Sequence, residues 1–153
     1  MESRARLPWS PAISRPVGIA KSSVSGGAVQ HLSLSPDGRE LAFITSTRTR
    51  RTLMIVPTVG GSPHELYQTP DNIGGTAWTR GRVMVYSYPE KAFLSFPTTG
   101  GPPDKTQSSI HDSQAAFVIS PDGTQIALNA GKNKKGIWAV SGLLPDAKPA
   151  PLR

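Results

Sequence analysis

The sequence contains no cysteine among its 153 residues. Disulfide bridges and thiolate-ligated metal sites are therefore excluded, and the absence suits a cytosolic and an extracytoplasmic protein equally well. No stretch approaches the roughly 18 consecutive apolar residues that a membrane-spanning helix needs. The first residues, from Met1 to Gly18, include basic side chains but no apolar run after them, so they lack the pattern of a secretory signal. We expect a chain without a membrane span and without an export signal in these residues.

Aromatic and acidic residues are scarce, whereas glycine and proline are abundant. Aromatic residues make up 7% of the chain, and there are 15 glycines and 15 prolines. This composition favours many short strands joined by tight turns over long helices. Lysine and arginine number 17 against 10 aspartates and glutamates, giving a net charge of +7, which favours encounter with an anionic surface without identifying it.

The motifs of common enzyme classes are also absent. The sequence has no G-x-S-x-G nucleophile elbow, no phosphate-binding loop ending in Gly-Lys-Ser/Thr, and no dinucleotide fingerprint. His64-Glu65 resembles the start of a zinc-protease motif, but Gln68 stands where the second histidine would be. His31 and His111 belong to no recognisable cluster. We therefore predict a protein that is not an enzyme, with no catalytic residue, no cofactor and no metal site.

A short motif is repeated in this chain. Ser-Pro-Asp-Gly occurs from Ser35 to Gly38 and again from Ser120 to Gly123, 85 positions later. A degraded copy, TAWTRGRVMVYS, lies between them from Thr76 to Ser87. Aligned on Gly38, Gly81 and Gly123, this middle copy places Tyr86 at the position of Phe43 and Leu128. The period is a little over forty residues, which is typical of propeller blades with several short strands.

The second half of each unit repeats as well. LMIVPTVGGSP begins at Leu53, FLSFPTTGGPP at Phe93 and, more loosely, IWAVSGLLPDA at Ile137. Within the first unit, Leu32 and Leu34 alternate with serines, and an apolar run follows from Leu41 to Ile44, as a strand buried on both faces would. Two further strands are predicted at 53–56 and 64–67. Four strands per unit make a blade.

The sequence thus predicts an all-β protein of three four-stranded antiparallel propeller blades. We place the repeats at about 28–70, 71–112 and 113–144, between an N-terminal extension (1–27) and a C-terminal tail (145–153). The extension could supply one outer strand near Pro16 to Ala20. Propellers close with typically four to eight blades, so three blades would leave sheet edges and an apolar face unpaired. Either copies of the chain associate to close the ring, or the chain is part of a longer propeller.

Turn chemistry accounts for the repeated motif. Proline presets φ for the second turn position, aspartate suits the third, and glycine accepts a left-handed conformation. Asp37 and Asp122 could instead be catalytic acids or calcium ligands, but no further carboxylates follow at alternate positions. The middle unit lacks the Pro-Asp pair, so its hairpin at Arg80 and Gly81 should be tighter or looser. The predicted structural turn residues are Pro36, Asp37, Gly38, Pro121, Asp122 and Gly123.

These motifs together resemble the WD-repeat-like blades of TolB-type β-propellers, which are common in bacterial multidomain proteins. The resemblance rests on the SPDG hairpin, the following LAF or IAL strand and the P-T-x-G-G-x-P segment, and it covers about Ala28 to Leu144. It implies a non-catalytic scaffold for protein contacts, here the C-terminal blades of a larger propeller. The ending NAGKNKKGIWAVSGLLP is similar to the final blade of receptor-like proteins, some with kinase domains, so a sensor part of a kinase or peptidase is an alternative. TolB-like propellers are frequently periplasmic, but the sequence leaves the compartment open.

Two basic runs occupy equivalent positions between the second and third strands of units one and three. Equivalent loops of a propeller emerge at the same end, so we expect these side chains to form one basic rim, suited to an acidic protein, a phosphate-rich polymer or an anionic membrane surface. Solvated hairpin tips are the alternative explanation, and the absence of interleaved aromatic residues disfavours nucleic acid. The basic rim comprises Arg48, Arg50, Arg51, Lys132, Lys134 and Lys135.

The three tryptophans receive different interpretations. Trp78 and Trp138 lie at apolar strand positions and are expected to be core residues. Trp9, between prolines, could contact a partner or an open blade edge.

Overall fold

The computed structural model describes residues 27–108, 113–120, 122–130 and 136–141, and all regular structure in these ranges is β-strand. No helix there is long and apolar enough to cross a membrane. The prediction of an all-β protein is confirmed. The strands are β1 (Ala28–Leu34), β2 (Glu40–Ser46), β3 (Arg51–Pro57), β4 (His64–Thr69), β5 (Ile73–Thr79), β6 (Arg82–Ser87), β7 (Ala92–Pro97), β8 (Asp104–Gln107), β9 (Ser113–Ile119), β10 (Gln125–Ala130) and β11 (Gly136–Ser141).

The strands form three antiparallel sheets in which neighbours in sequence are neighbours in space. The first sheet has the order β1-β2-β3-β4, the second β5-β6-β7-β8, and the third β9-β10-β11. Two sheets therefore have the four strands that the sequence predicts. The third has three strands within the described residues, so three complete four-stranded blades are not seen there. The predicted N-terminal strand at 16–20 and the tail at 145–153 lie outside the described residues.

The register of the first hairpin defines equivalent positions in the three sheets. The equivalent cross-strand pairs of these hairpins are Leu34–Leu41, Trp78–Val83 and Ile119–Ile126. The middle hairpin is two residues shorter than the others, so Val85 takes the position of Phe43, and Tyr86 that of Ile44. The alignment of Tyr86 with Phe43 and Leu128 is therefore wrong by one residue. Since side chains alternate between faces, that error would have placed Tyr86 on the opposite face of its sheet.

The turn of the middle hairpin is tighter than the Ser-Pro-Asp-Gly turns of its neighbours. Thr79 pairs with Arg82, so only Arg80 and Gly81 lie in the turn. Their φ angles are 21° and 75°, and positive φ at both central residues is what a type I′ hairpin turn requires. The Pro-Asp pair is absent from this unit because its turn contains only two residues.

The sheets pack face to face. We call the side that carries Leu41 and its equivalents Val83 and Ile126 the front face, and the opposite side the back face. The first core lies between the back face of the first sheet and the front face of the second, and its buried members are Ala42, Ile44, Leu53, Ile55, Ile73, Val83, Val85, Leu94 and Phe96. The second core lies between the back face of the second sheet and the front face of the third, and its buried members are Ala77, Met84, Tyr86, Phe93, Phe117, Ile126 and Leu128.

The first strands of the sheets lie side by side. β1 contacts β5, and β5 contacts β9, while β4 and β8 are the outermost strands of their sheets. Repeated front-to-back packing around adjacent inner strands is the geometry of consecutive propeller blades. The antiparallel order places the β1–β2 hairpin and the β3–β4 loop at one end of a blade, the turn end, and the β2–β3 hairpin at the opposite end.

Candidate functional site

The Ser-Pro-Asp-Gly turn between β1 and β2 is a closed set of local hydrogen bonds. Asp37 Oδ1 accepts from the Ser35 hydroxyl at 2.7 Å and from the Arg39 amide at 3.1 Å. The Ser35 Oγ in turn accepts from the Glu40 amide at 2.9 Å. Gly38 has φ 72° and donates its amide to the Ser35 carbonyl at 2.9 Å. Pro36 precedes the aspartate at an exposed position of the turn.

The second turn, between β9 and β10, repeats these contacts. Asp122 Oδ1 accepts from the Ser120 hydroxyl at 2.5 Å, the Thr124 amide at 3.0 Å and the Thr124 hydroxyl at 2.8 Å. Gly123 has φ 74°, and its amide donates to the Ser120 carbonyl at 2.8 Å. Pro121 lies outside the described residues. The serine, aspartate and glycine of the motif therefore make the same hydrogen bonds in both turns.

These hydrogen bonds determine the ionisation of the two aspartates. The Ser120 hydroxyl and the Thr124 amide stabilise the charged form of Asp122 and lower its pKa from 3.8 to about 2. The Ser35 hydroxyl and the Arg39 amide lower the pKa of Asp37 in the same way. A carboxylate that stays ionised at neutral pH and accepts donors of its own turn is poorly suited to act as a general acid.

The turn end is tied together across each sheet. The Thr58 amide donates to the Arg39 carbonyl at 2.8 Å, and the Thr58 hydroxyl donates to the Gly38 carbonyl at 2.8 Å. In the second sheet the Thr98 amide donates to the Gly81 carbonyl at 3.0 Å. The threonine of the P-T-x-G-G-x-P segment thus links the loop after the third strand to the first hairpin in both sheets, although the hairpin of the second sheet lacks the Ser-Pro-Asp-Gly motif.

The basic side chains of the β2–β3 hairpin divide into two groups. Arg48 and Arg50 are exposed. Arg51 is half-buried, and its guanidinium donates to the Thr47 carbonyl at 2.7 Å and to the Arg50 carbonyl at 3.4 Å. Arg51 therefore supports the hairpin, whereas Arg48 and Arg50 present their charge to solvent. No carboxylate within the described ranges forms an ion pair with either of them.

The corresponding hairpin of the second sheet carries balanced charge. Glu90 forms an ion pair with Lys105, and the Lys91 amide donates to the Tyr88 carbonyl at 3.3 Å. The basic residues of the third hairpin, Lys132, Lys134 and Lys135, lie outside the described residues. The described part of the basic rim is therefore the β2–β3 hairpin of the first sheet.

The histidines of the described residues do not form a reactive cluster. His64 and Glu65 lie in strand β4 rather than in a helix, and Glu65 accepts from the Gln68 side chain at 3.4 Å. His31 lies in β1, where burial lowers its pKa and so favours the neutral imidazole. His111 lies outside the described residues. In the part of the chain that the structure describes, no three His, Asp or Glu residues lie close enough together to hold a metal ion.

Two hydrogen bonds between the inner strands were not predicted from the sequence. The Trp78 indole N–H donates to the Ser33 carbonyl at 2.8 Å, and the Thr76 hydroxyl donates to the His31 carbonyl. Both join β5 to β1, and so the second sheet to the first. Trp78 also packs against the first core, in agreement with its predicted core role. Trp9 and the side chain of Trp138 are not among the described parts of the chain.

His31 adopts an unusual backbone conformation at this junction. Its φ is 53°, in the left-handed region that residues other than glycine rarely adopt. β1 is irregular after Gln30, and β5 is irregular at the equivalent place after Gly74, where Gly75 has φ 64°. The inner strands β1 and β5 thus share a bulge. In β5 the glycine at this position indicates a positive φ from the sequence, whereas the histidine at the equivalent position of β1 gives no such indication.

Comparison with known proteins finds similarity in structure alone. No protein-family model matches the sequence, and no curated protein matches it. The structure of a TolB from Agrobacterium tumefaciens is similar over 72% of this chain and 42% of its own, with a TM-score of 0.57 and 19% identity. That of TolB from Acinetobacter baumannii is similar over 68% of this chain and 28% of its own, with a TM-score of 0.57 and 23% identity.

The present chain spans less than half the length of either TolB structure. At these identities the similarity concerns the fold. It agrees with the front-to-back stack of antiparallel sheets, the adjacent inner strands and the repeated turns described above. The described part of the chain has the fold of TolB-like β-propeller blades.

Proposed function

We propose that this chain is a non-catalytic propeller module that binds a protein partner, with the exposed arginines of the first β2–β3 hairpin as part of its binding surface. The observation that supports the binding surface is that two of the three arginines at that hairpin are exposed and make no ion pair within the described residues. Arg51 is engaged with its own hairpin, while Arg48 and Arg50 project unpaired among the described residues. Exposed unpaired cations on a chain of net charge +7 favour an acidic partner.

The non-catalytic part of the proposal is supported by the state of the candidate acids. Asp37 and Asp122 are ionised acceptors within their turns. Covalent catalysis needs a nucleophile activated by a base within reach. The hydroxyls of Ser35 and Ser120 do contact these aspartates, but each also accepts a backbone amide of its own turn, and a carboxylate whose pKa is lowered is a weak base. The blades provide rigid strands with loops at both ends, an arrangement suited to presenting side chains to a partner.

A second candidate function is capture of a phosphate-rich polyanion. The same two arginines favour it, because guanidinium groups bind phosphate in a bidentate manner. We rank it second because arginine hairpins without interleaved aromatic side chains lack the stacking platforms used by single-stranded nucleic acids. The two candidates differ in the chemistry of the anion they prefer.

Fluorescence anisotropy with labelled poly-L-glutamate and with labelled polyphosphate of similar charge separates the two candidates. We expect poly-L-glutamate to bind, with a Kd that rises with added salt. The R48A/R50A variant should bind it roughly 3- to 10-fold more weakly, since each exposed charge contributes a modest amount. Tighter binding of polyphosphate than of poly-L-glutamate would favour the second candidate.

Arg39→Ala provides the matched control. Arg39 lies in the turn between β1 and β2, at the opposite end of the same blade, with a side chain that is 85% exposed. It should leave the Kd for poly-L-glutamate within about twofold of the wild-type value if binding is local to the first β2–β3 hairpin. An equal loss in the R39A variant and in the single variant R48A, which removes the same charge, would contradict a binding site at that hairpin and indicate attraction by net charge alone.

A further inference from the structure

The front face of the first sheet is exposed at positions that are packed in the other two sheets. Trp78 packs against the first core and Ile119 against the second, so each contacts the sheet that precedes its own. Leu34, at the equivalent position, is 56% exposed. Leu32 is 60% exposed, whereas the equivalent Phe117 is 7% exposed in the second core. The apolar side chains of this inner strand are therefore shaped for a neighbouring sheet that the described residues do not supply.

The back face of the third sheet has the same character. Val118 is 64% exposed, whereas Ala77, its equivalent in the second sheet, is 6% exposed and faces the third sheet. Next to Val118 in the register lies Ala127, at the position where the second sheet places Met84 in the second core. An open, largely apolar hollow on this sheet is lined in part by Val118 and Ala127.

These two surfaces are counterparts of each other. Twice within the chain, the back face of one sheet packs on the front face of the next. The unpartnered front face belongs to the first sheet and the unpartnered back face to the third. A second copy of the chain has the same two surfaces. Its back face can pack on the front face of the first copy in the way that neighbouring sheets pack within one chain. Wide exposure of large apolar side chains at such surfaces is a mark of an interaction site.

We propose that two copies of this chain associate head to tail, the back face of the third sheet in each copy packing on the front face of the first sheet in the other. The three sheets of the described residues, taken twice, then give a ring of six, within the usual range of closed propellers. The two contacts in this pair are identical, each joining a back face to a front face. A rotation of 180° relates the two copies, so the ring is closed and no face is left uncovered. The proposal does not depend on the partner of the first β2–β3 hairpin.

The first test is the solution mass of the purified chain by light scattering after size exclusion. The expected result is twice the mass of one chain. The variants Leu34→Asp and Val118→Asp each place a charge in one of the two surfaces, and burial of an unpaired charge is strongly unfavourable. Each should weaken dimerisation on the order of 100-fold. Val59→Asp, in the β3–β4 loop and 90% exposed, makes the same change outside both surfaces and should remain dimeric.

Mixing the two variants tests the head-to-tail geometry. Leu34→Asp keeps an intact back face and Val118→Asp an intact front face, so an equimolar mixture should form a heterodimer through one unaltered contact. If like faces paired instead, one variant would remain dimeric alone and mixing would restore nothing. A folded monomeric wild-type chain, an open polymer, or no dimer on mixing would each overturn the proposal. A monomer that still bound poly-L-glutamate would leave the proposed binding function standing.

Discussion

At the scale of single residues, the two aspartates of the repeated turn show how an exposed acid becomes structural. Each accepts a serine hydroxyl and a backbone amide from within five residues. Hydrogen bonds to the charged form lower a carboxyl pKa without any burial. A folded state that holds the carboxylate more strongly than the unfolded state becomes less stable when that carboxylate is protonated.

The pH dependence of unfolding should therefore carry the signature of Asp122. Its pKa falls from 3.8 to about 2 on folding, so its contribution is complete above about pH 4 and is lost as the pH falls towards 2. In Asp122→Asn we expect a lower Tm at pH 7 and a smaller decrease in Tm between pH 4 and pH 2. Thermal melts followed by circular dichroism at several pH values measure both quantities.

Asp71→Asn is the control for this prediction. Asp71 is exposed in the loop between β4 and β5, and the substitution removes one negative charge, as Asp122→Asn does. It should retain the wild-type decrease in Tm at low pH. If the Asp122 variant also kept that decrease, the turn hydrogen bonds would not be the source of acid sensitivity.

At the scale of elements, neighbouring sheets are joined by side chains that reach across the inner strands as well as by apolar packing. Trp78 combines both roles: its ring packs on the first core and its indole N–H reaches the Ser33 carbonyl at 2.8 Å. The aromatic rings of Tyr86, Phe93 and Phe117 continue the contact into the third sheet, with centroid separations of 5.2 Å. Edge-to-face pairs at this distance add to the apolar contribution of the core.

Replacing Trp78 by phenylalanine should separate its hydrogen bond from most of its packing. The Ser33 carbonyl loses a donor, which costs about 1 kcal/mol, and the smaller ring adds a packing loss of similar size. We expect a destabilisation of about 1–3 kcal/mol in urea unfolding. Tyr67→Phe is the comparison, since Tyr67 also packs on the first core and its hydroxyl makes no hydrogen bond within the described residues. An equal effect of both variants would contradict a role for the indole N–H.

Phe93→Ala tests whether the second and third sheets unfold together. Phe93 is 3% exposed and contacts both Tyr86 and Phe117, so truncation should leave a cavity at the junction and destabilise the chain by about 3–5 kcal/mol. Unfolding in guanidinium chloride, followed by tryptophan fluorescence and by circular dichroism, measures the change. Val59→Ala, on an exposed side chain, should have little effect. Non-coincident transitions in the wild-type chain would show that the junction does not couple the two sheets.

The elements themselves could be predicted because the repeat fixes them. Leu41 to Ile44 and Leu53 to Val56 are local patterns, and each lies in the predicted strand. The SPDG motif is local as well, and Gly38 and Gly123 each donate an amide to the carbonyl of the serine three residues earlier. The position of Tyr86 could not be predicted, because a turn shortened by two residues changes the register without changing the apolar pattern. The Trp78–Ser33 hydrogen bond depends on the distance between two strands 45 residues apart. Such pairings are set by packing between sheets and leave no local signal.

The candidate site was less accessible to sequence analysis than the fold. The run TRTRR indicated positive charge, but it gave no reason to separate Arg51 from Arg48 and Arg50. The separation follows from the hairpin geometry, which brings the Arg51 guanidinium to the Thr47 carbonyl. Likewise, the sequence predicted that three blades would leave open faces, and the register was needed to show that Leu34 and Val118 lie on them.

At the scale of the whole molecule, the described sheets use the same back-to-front contact twice, and no described residue covers the two outer faces of the stack. Each internal junction buries a back face on a front face, and the terminal faces present Leu34 and Val118 to solvent. An open stack of β-sheets with apolar ends is prone to association. Closure by a second copy removes both ends with one kind of contact, whereas a longer chain would remove them with further blades.

Closure by a second copy predicts that stability depends on protein concentration. Unfolding of a dimer to unfolded monomers releases a particle, so by mass action its Tm rises as the protein concentration rises. We expect the wild-type Tm to increase over a hundredfold range of concentration, measured by calorimetry at a constant scan rate. Val118→Asp should have a lower Tm that no longer depends on concentration, while Val59→Asp should follow the wild-type chain. A Tm that is independent of concentration in the wild-type chain would mean that its three sheets are stable without a partner copy, and the exposed Leu34 and Val118 would then have to be explained by another neighbour.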